Sequence, residues 1–200
     1  MAIYVDNYNL CFIHSPKTGG SSIQKWLLDN TSCQHWKLHC NLSKAKQKFP
    51  AITHSFAVVR NPWDWAVSCY FYEYKKIAYN LDLIKNKPHL INEQKDKYNI
   101  ELQNQKKVLL DKGFEHWLYN SSITPQSVYL ENIDYILKFE SLDKDFQIIQ
   151  KIINVDIPLP HINKTTKDNY SKYYTLDTIN YILNKYTDTI NKFGYKYEAP

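Results

Sequence analysis

The chain has 200 residues, of which 44% are hydrophobic, 22% charged and 15% aromatic. This length fits a single domain, residues 1–200, and the composition is typical of a globular protein rather than of a disordered, collagen-like or membrane-bundle chain. The 25 basic residues outnumber the 20 acidic ones, and the net charge of +5 favours anionic partners without specifying which.

The cysteines and the N-terminal residues indicate the cellular compartment. The four cysteines form no C-x-x-C pair and are too few to stabilise a domain of this size through disulfides, so we expect reduced thiols. The apolar stretch Leu10–Ile13 is too short for a signal peptide and has no basic start, and no later run has the length of a membrane span. We therefore expect a cytoplasmic protein without a membrane partner.

Two strand–loop–helix units are predicted in the first third of the chain. Residues 10–14 form a short apolar run that stops at a Ser-Pro pair, and helical spacing begins at Ser21. A second apolar run at residues 55–59 stops at an Arg-Asn-Pro triplet, and a long helical pattern begins near Trp63. Each unit thus places a loop at the carboxyl end of a buried strand.

The segment between these units adds a predicted strand at residues 34–38 and a helix at residues 42–48. Such alternation predicts an α/β fold with a parallel sheet and helical crossovers.

The second half of the chain continues the alternation. The polar, lysine-rich residues 85–112 predict a loop followed by a helix. A strand is predicted at residues 135–139 and a helix at residues 142–153. Helical spacing returns over residues 176–190, with Gly194 as a stop signal.

Two of the chain's four glycines are adjacent in the segment HSPKTGGSS, residues 14–22. Between a strand and a helix, such a pair lets backbone N–H groups close around an anion, and the helix N-terminus adds its positive dipole. Further donors are the side chains of Lys17, Thr18, Ser21 and Ser22. The lysine precedes the glycines and no G-K-[ST] follows, which disfavours a Mg²⁺-dependent nucleotide hydrolase. The segment predicts a phosphate-binding loop, the alternative being an ordinary turn rich in small residues.

Arg60 is the only arginine of the chain, and lysine occupies every other basic position. It follows a predicted core strand in VVRNPWDWAVS, residues 58–68. The planar guanidinium group of arginine can form two parallel hydrogen bonds to a phosphate, which suits this ligand better than the ammonium group of lysine does. With Pro62 at the first helical position, Ser68 lies one to two turns into the helix and can face the same side as Arg60. The alternative is that Arg60 pairs with a carboxylate such as Asp64.

These two segments resemble a known family. PKTGGSS at residues 16–22, followed by a strand that ends in VVRNPWDWAVS, is similar to the phosphosulfate and 3′-phosphate motifs of sulfotransferases that use 3′-phosphoadenosine 5′-phosphosulfate (PAPS), particularly their carbohydrate branch. Weaker similarities follow in order at residues 135–142, 159–164 and 188–195, so that the resemblance spans nearly the whole chain.

The resemblance implies a P-loop-like three-layer fold with a central parallel sheet flanked by helices. It implies PAPS as the sulfuryl donor, no metal, and a hydroxyl of a carbohydrate or glycoconjugate as the acceptor. The residues that it assigns to the 5′-phosphosulfate are Lys17, Thr18, Gly19, Gly20, Ser21 and Ser22. Arg60 and Ser68 would hold the 3′-phosphate, and Lys164 would help to close the site. Trp65 stands where many relatives carry a second arginine, which is a departure from the family pattern.

Two groups are candidates for the chemical step. Lys17 is expected to neutralise the negative charge that grows on the bridging oxygen of the leaving nucleotide. The acceptor hydroxyl must lose a proton, and histidine has a suitable intrinsic pKa. His39 is the first candidate for this base, because it follows a predicted strand and resembles in position a catalytic histidine of some carbohydrate sulfotransferases. His54 and Glu73 are the runners-up.

The sequence disfavours a metal site and a nucleic-acid partner. A zinc site has poor ligand spacing and no second ligand pair, so no metal is expected; its candidate ligands are Cys33, His35, His39 and Cys40. The lysine-rich segment is interpreted as a solvated helix face, and no nucleic-acid partner is expected. A non-catalytic nucleotide- or nucleic-acid-binding module and a small-molecule kinase that needs ATP and Mg²⁺ remain the alternative functions.

Overall fold

The computed structural model describes residues 1–36, 39–86, 93–162 and 169–199. Within them, one five-stranded sheet is formed by β1 (Ala2–Val5), β2 (Leu10–Ile13), β3 (Cys33–Trp36), β4 (His54–Val59) and β5 (Tyr135–Lys138). The order across the sheet is β3-β1-β2-β4-β5.

The strand directions correct the prediction of a wholly parallel sheet. Strand β4 runs parallel to β2 and to β5, but β1 is antiparallel to both of its neighbours, β2 and β3. The reason is the short connection from β1 to β2, a 3₁₀ turn at Asp6–Tyr8 followed by Asn9 in the left-handed region at φ 45°. A connection this short can only join antiparallel strands.

The helices of the described residues are α1 (Gly20–Asn30), α2 (Leu42–Lys48), α3 (Pro62–Lys85), α4 (Glu93–Asn120), α5 (Leu142–Asp145), α6 (Gln147–Ile153), α7 (Leu176–Lys185) and α8 (Thr187–Phe193). The predicted α/β class is therefore confirmed.

The two strand–loop–helix units are formed as predicted, by β2 with α1 and by β4 with α3, and Pro62 is the first residue of α3. The single helix predicted at residues 142–153 is instead two short helices that meet at Phe146. The helical segment predicted at residues 176–190 is likewise divided, at Tyr186. Gly194 ends α8 in the left-handed conformation, as its position indicated.

Both faces of the sheet are buried. Phe12 and Phe56 point from β2 and β4 into a cluster that includes α1 and α6, whereas Ile13 and Ala57 point into a cluster that includes α2. A third apolar cluster joins α3 to α4 and α7. None of the helices in the described ranges is long and apolar enough to span a membrane.

Neighbouring parallel strands bring their carboxyl ends to the same edge of a sheet. Because β2 and β4 pair in parallel with Ile13 opposite Ala57, the loop that follows β2 and the junction of β4 with α3 lie side by side. The two segments that the sequence singled out therefore meet at one edge.

Candidate functional site

The loop between β2 and α1 is tightly folded. Lys17 and Gly19 both have left-handed backbone conformations, with φ of 65° and 82°. The hydroxyl of Thr18 is buried and donates to the carbonyl of Ser15 at 2.8 Å. These features make the chain turn sharply before it enters α1.

Two carbonyl groups of this loop accept hydrogen bonds from side chains of α3 and of the β4–α3 junction. The indole Nε1 of Trp65 donates to the carbonyl oxygen of Pro16 at 2.8 Å, and Nη1 of Arg60 donates to that of Lys17, also at 2.8 Å. Within the described part of the chain, the backbone N–H groups of residues 17–21 have no hydrogen-bond acceptor. A row of unpaired N–H groups at the N-terminus of an eleven-residue helix is suited to an anion.

The two adjacent glycines serve different needs. Gly19 takes the left-handed conformation, and a Cβ there would come within 2.9 Å of the Leu142 side chain. Gly20 lies in α1, and a Cβ there would overlap the imidazole of His14. The loop can hold this shape only if neither of the two positions has a side chain.

Lys17 carries the positive charge at this loop. Its Nζ lies 4.5 Å from the centre of the Tyr72 ring, on α3. No carboxylate of the described residues forms an ion pair with it. Burial lowers the pKa of Lys17, and the neighbouring Arg60 acts in the same direction. The ammonium group is therefore a partly buried cation without a counter-ion in this part of the chain.

Arg60 has the arrangement that the sequence analysis gave as the alternative, a pair with Asp64. Its Nε and Nη2 atoms each lie 2.6 Å from Oδ2 of Asp64, and only 8% of its side chain is exposed. Its guanidinium carbon lies 4.1 Å from the centre of the Phe139 ring. With the bond to Lys17, three of the five guanidinium N–H groups are used, and two have no partner among the described residues.

The backbone around Arg60 is fixed by residues that the sequence analysis did not identify. The buried amide of Gln126 accepts from the backbone N–H of Arg60 at 2.8 Å and donates to its carbonyl at 2.9 Å. Glu140 accepts from the N–H of Asn61 at 2.6 Å, and Asn61 in turn caps α3. Ser68 lies one turn beyond Asp64 on α3 and is partly buried.

His39 lies beside the start of the loop. Its Nδ1 is 3.4 Å from the carbonyl oxygen of His14, and the two imidazole rings are 5.3 Å apart. Burial lowers the pKa of both histidines, to about 3 for His14. Both side chains are therefore neutral imidazoles at neutral pH.

The two runners-up lie elsewhere. His54 is exposed at the first residue of β4, five residues from the end of the strand at Val59, and about 17 Å from it at the usual strand rise. Glu73 accepts from Nε1 of Trp117 at 2.7 Å and lines a cleft of about 760 Å³ between α3 and α4. The structure brings neither of them into contact with Lys17.

Lys164 lies outside the described residues. The chain that leads to it reaches the first turn of α1, because the backbone N–H of Ile162 donates to the hydroxyl of Ser22 at 3.1 Å. Among the described residues, no group of three or more histidine, cysteine, aspartate or glutamate side chains could hold a metal ion.

Compared with protein-family models, with curated proteins and with solved structures, the chain gives no significant match in any of the three. The site must therefore be interpreted from its own geometry and from the motifs of the sequence.

Proposed function

We propose that the chain is a sulfotransferase of P-loop-like three-layer fold that transfers a sulfuryl group from PAPS to a hydroxyl of a carbohydrate or glycoconjugate. One observation carries the proposal: within the described part of the chain, the N–H groups of residues 17–21 are unpaired, and the Lys17 ammonium of the same loop has no counter-ion. An anion such as a phosphosulfate would satisfy both. The direct contact of Lys17 with Arg60 supports a single site for both motifs.

Lys17 has the charge that the reaction requires. In sulfuryl transfer, the bond from sulfur to the bridging oxygen of the 5′-phosphate breaks as the acceptor oxygen bonds to sulfur. Negative charge grows on the bridging oxygen, which becomes part of the leaving bisphosphate. A cation held near that oxygen stabilises the transition state more than the ground state. The half-buried position of Lys17 strengthens this effect because less water screens the charge.

Arg60 and Ser68 would bind the 3′-phosphate in this proposal. Two guanidinium N–H groups of Arg60 have no partner within the described ranges, and they can bind a phosphate without breaking the pair with Asp64. Because Asp64 neutralises the charge of Arg60, the long-range attraction for the nucleotide would come mainly from Lys17.

The acceptor hydroxyl must give up its proton as it attacks sulfur, and we propose His39 as the group that receives it. Burial lowers the pKa of His39, so that the imidazole is neutral at neutral pH and can accept a proton. Its bond with the carbonyl of His14 holds it at the first residue of the loop.

A cytoplasmic location belongs to the same proposal. None of the four cysteines, all of which are described, forms a disulfide, and three of them are buried. Free thiols are usual in a reducing compartment.

The proposal is tested by incubating the purified chain with ³⁵S-labelled PAPS and a panel of hydroxyl-bearing glycans. We expect label to appear on at least one glycan, together with release of adenosine 3′,5′-bisphosphate. Binding of PAPS without transfer to any acceptor would favour a non-catalytic nucleotide-binding module. Phosphoryl transfer that needs ATP and Mg²⁺ would favour a small-molecule kinase instead.

A further inference from the structure

Two side chains, that of Trp65 on α3 and that of Arg60 at the end of β4, donate hydrogen bonds to the loop before α1. Trp65 donates to the Pro16 carbonyl and Arg60 donates to the Lys17 carbonyl, each over 2.8 Å. Trp65 is 1% exposed, and its ring packs edge-on against Tyr186 at 5.6 Å. The indole N–H is therefore a rigidly placed donor.

These two bonds determine where the loop N–H groups point. In a planar trans peptide, the N–H of one residue points opposite to the carbonyl of the residue before it. The carbonyl of Pro16 belongs to the same peptide as the N–H of Lys17, and the carbonyl of Lys17 to the same peptide as the N–H of Thr18. With the Pro16 carbonyl turned towards Trp65 and the Lys17 carbonyl towards Arg60, both N–H groups are directed to the opposite side of the loop.

We propose that Trp65 is a positioning residue of this site, because it sets the orientation of the Pro16–Lys17 peptide for anion binding. The position needs such support because Lys17 is held at φ 65°, which a residue with a Cβ adopts only at a cost. Without the indole N–H, the peptide can rotate and turn the Lys17 N–H away. The fraction of molecules ready to bind then falls, and the apparent affinity falls by the same factor.

This inference rests on the proposed function only in that the loop binds an anion.

The variant Trp65→Phe removes the indole N–H and keeps an aromatic ring. Trp63→Phe is the matched control, because Trp63 is equally buried and donates its Nε1 to the carbonyl of Ile179, 3.3 Å away in α7, and not to the loop. Thermal unfolding of both variants measures what each substitution costs in stability.

Binding of inorganic pyrophosphate and of adenosine 3′,5′-bisphosphate is measured by calorimetry well below the melting temperatures. We expect Trp65→Phe to weaken both about five- to tenfold and Trp63→Phe to leave both unchanged. In ¹H–¹⁵N spectra of the free protein, the amide signals of Lys17 and Thr18 should shift or broaden in Trp65→Phe alone.

The outcomes separate this inference from the proposed function. Wild-type affinity for pyrophosphate in Trp65→Phe, with unmoved amide signals, would overturn the positioning role. A wild-type chain that binds pyrophosphate through the loop but not the bisphosphate would contradict the sulfotransferase proposal and leave the positioning role standing. A wild-type chain that binds neither would overturn both.

Discussion

Nη1 of Arg60 lies 2.8 Å from the carbonyl oxygen of Lys17, although 43 residues separate the two in the chain. The bond ties the loop after β2 to the end of β4. It makes the shape of the loop depend on Arg60, and it places the cation of Lys17 in the same region as the guanidinium group. The consequences of this arrangement can be measured.

Replacement of Lys17 by alanine should abolish most of the activity without unfolding the chain. We expect a loss of about a hundredfold or more in kcat, because a positioned cation contributes a few kcal/mol to the transition state. The melting temperature should change little, since Lys17 has no ion pair among the described residues. Initial rates with labelled PAPS and circular-dichroism melting check the two effects.

Lys25→Ala is the matched control for this variant. Lys25 lies on α1, is exposed, and pairs with Asp29 at 2.8 Å. Its loss should leave the rate unchanged. Full activity of Lys17→Ala together with intact PAPS binding would remove Lys17 from the mechanism.

Gly20→Ala should destabilise the protein although alanine normally favours a helix. The new Cβ would overlap the imidazole of His14, and such crowding in a packed region costs about 1–3 kcal/mol of unfolding free energy. The double variant with His14→Ala should regain much of that loss because the obstruction is gone. Urea unfolding of the single and double variants measures this, and a single variant as stable as the wild type would disprove the contact.

Asp64→Asn should lower the free energy of unfolding, because it removes the carboxylate that pairs with Arg60. The guanidinium group is almost fully buried, and removing the partner of a buried charge typically costs about 3 kcal/mol. Added phosphate should restore more stability to this variant than to the wild type, because an anion can replace the lost carboxylate. The measurement is a phosphate titration of the melting temperature.

Asp29→Asn provides the comparison for Asp64→Asn, since its pair with Lys25 is exposed. Its effect should stay within about 1 kcal/mol, as is usual for surface pairs. If Asp64→Asn behaves in the same way, the buried pair does not stabilise the fold.

Acidification should weaken the fold through His14. Burial lowers its pKa from 6.5 to about 3, and the neighbouring His39 acts in the same direction. Between these two values the unfolded chain binds a proton that the folded chain does not. Stability from this group is therefore complete above pH 6.5 and falls as the pH drops, by up to about 1.4 kcal/mol per pH unit.

His14→Gln removes this titration and should make the unfolding free energy less dependent on pH between 4 and about 6.5. His54→Gln, at the exposed start of β4, serves as the control that keeps the His14 titration. Identical pH profiles for His14→Gln and the wild type would show that His14 is not a buried neutral group. Denaturant titrations at a series of pH values provide the data.

The two site segments could be predicted because each is a local pattern. Adjacent glycines in a chain with few of them, and a single arginine before Asn-Pro, mark the ends of β2 and β4 without any knowledge of distant residues. The structure brings Arg60 into contact with the Lys17 carbonyl, so the two segments meet. The role of Gln126 could not be found in this way, because it lies 66 residues after Arg60 and no motif surrounds it.

Strand β1 escapes sequence-based prediction for another reason. Four apolar residues at the start of a chain indicate neither a partner strand nor a direction. The direction is set by the three-residue turn Asp6–Tyr8 and by Asn9, whose left-handed backbone closes the hairpin. A prediction based on alternating strands and helices therefore gives a parallel sheet and misses the one reversed strand.

The reversed strand also affects how the sheet can assemble during synthesis. Strands β1 to β4 all lie within the first 59 residues, and β1 joins β2 through contacts that are close in sequence. Such local pairing forms rapidly, whereas β5 must come from about 75 residues further along the chain. We expect a ribosome-bound chain that has exposed only its first segment to gain protease resistance in β1–β4, leaving β4 as an open edge until β5 emerges.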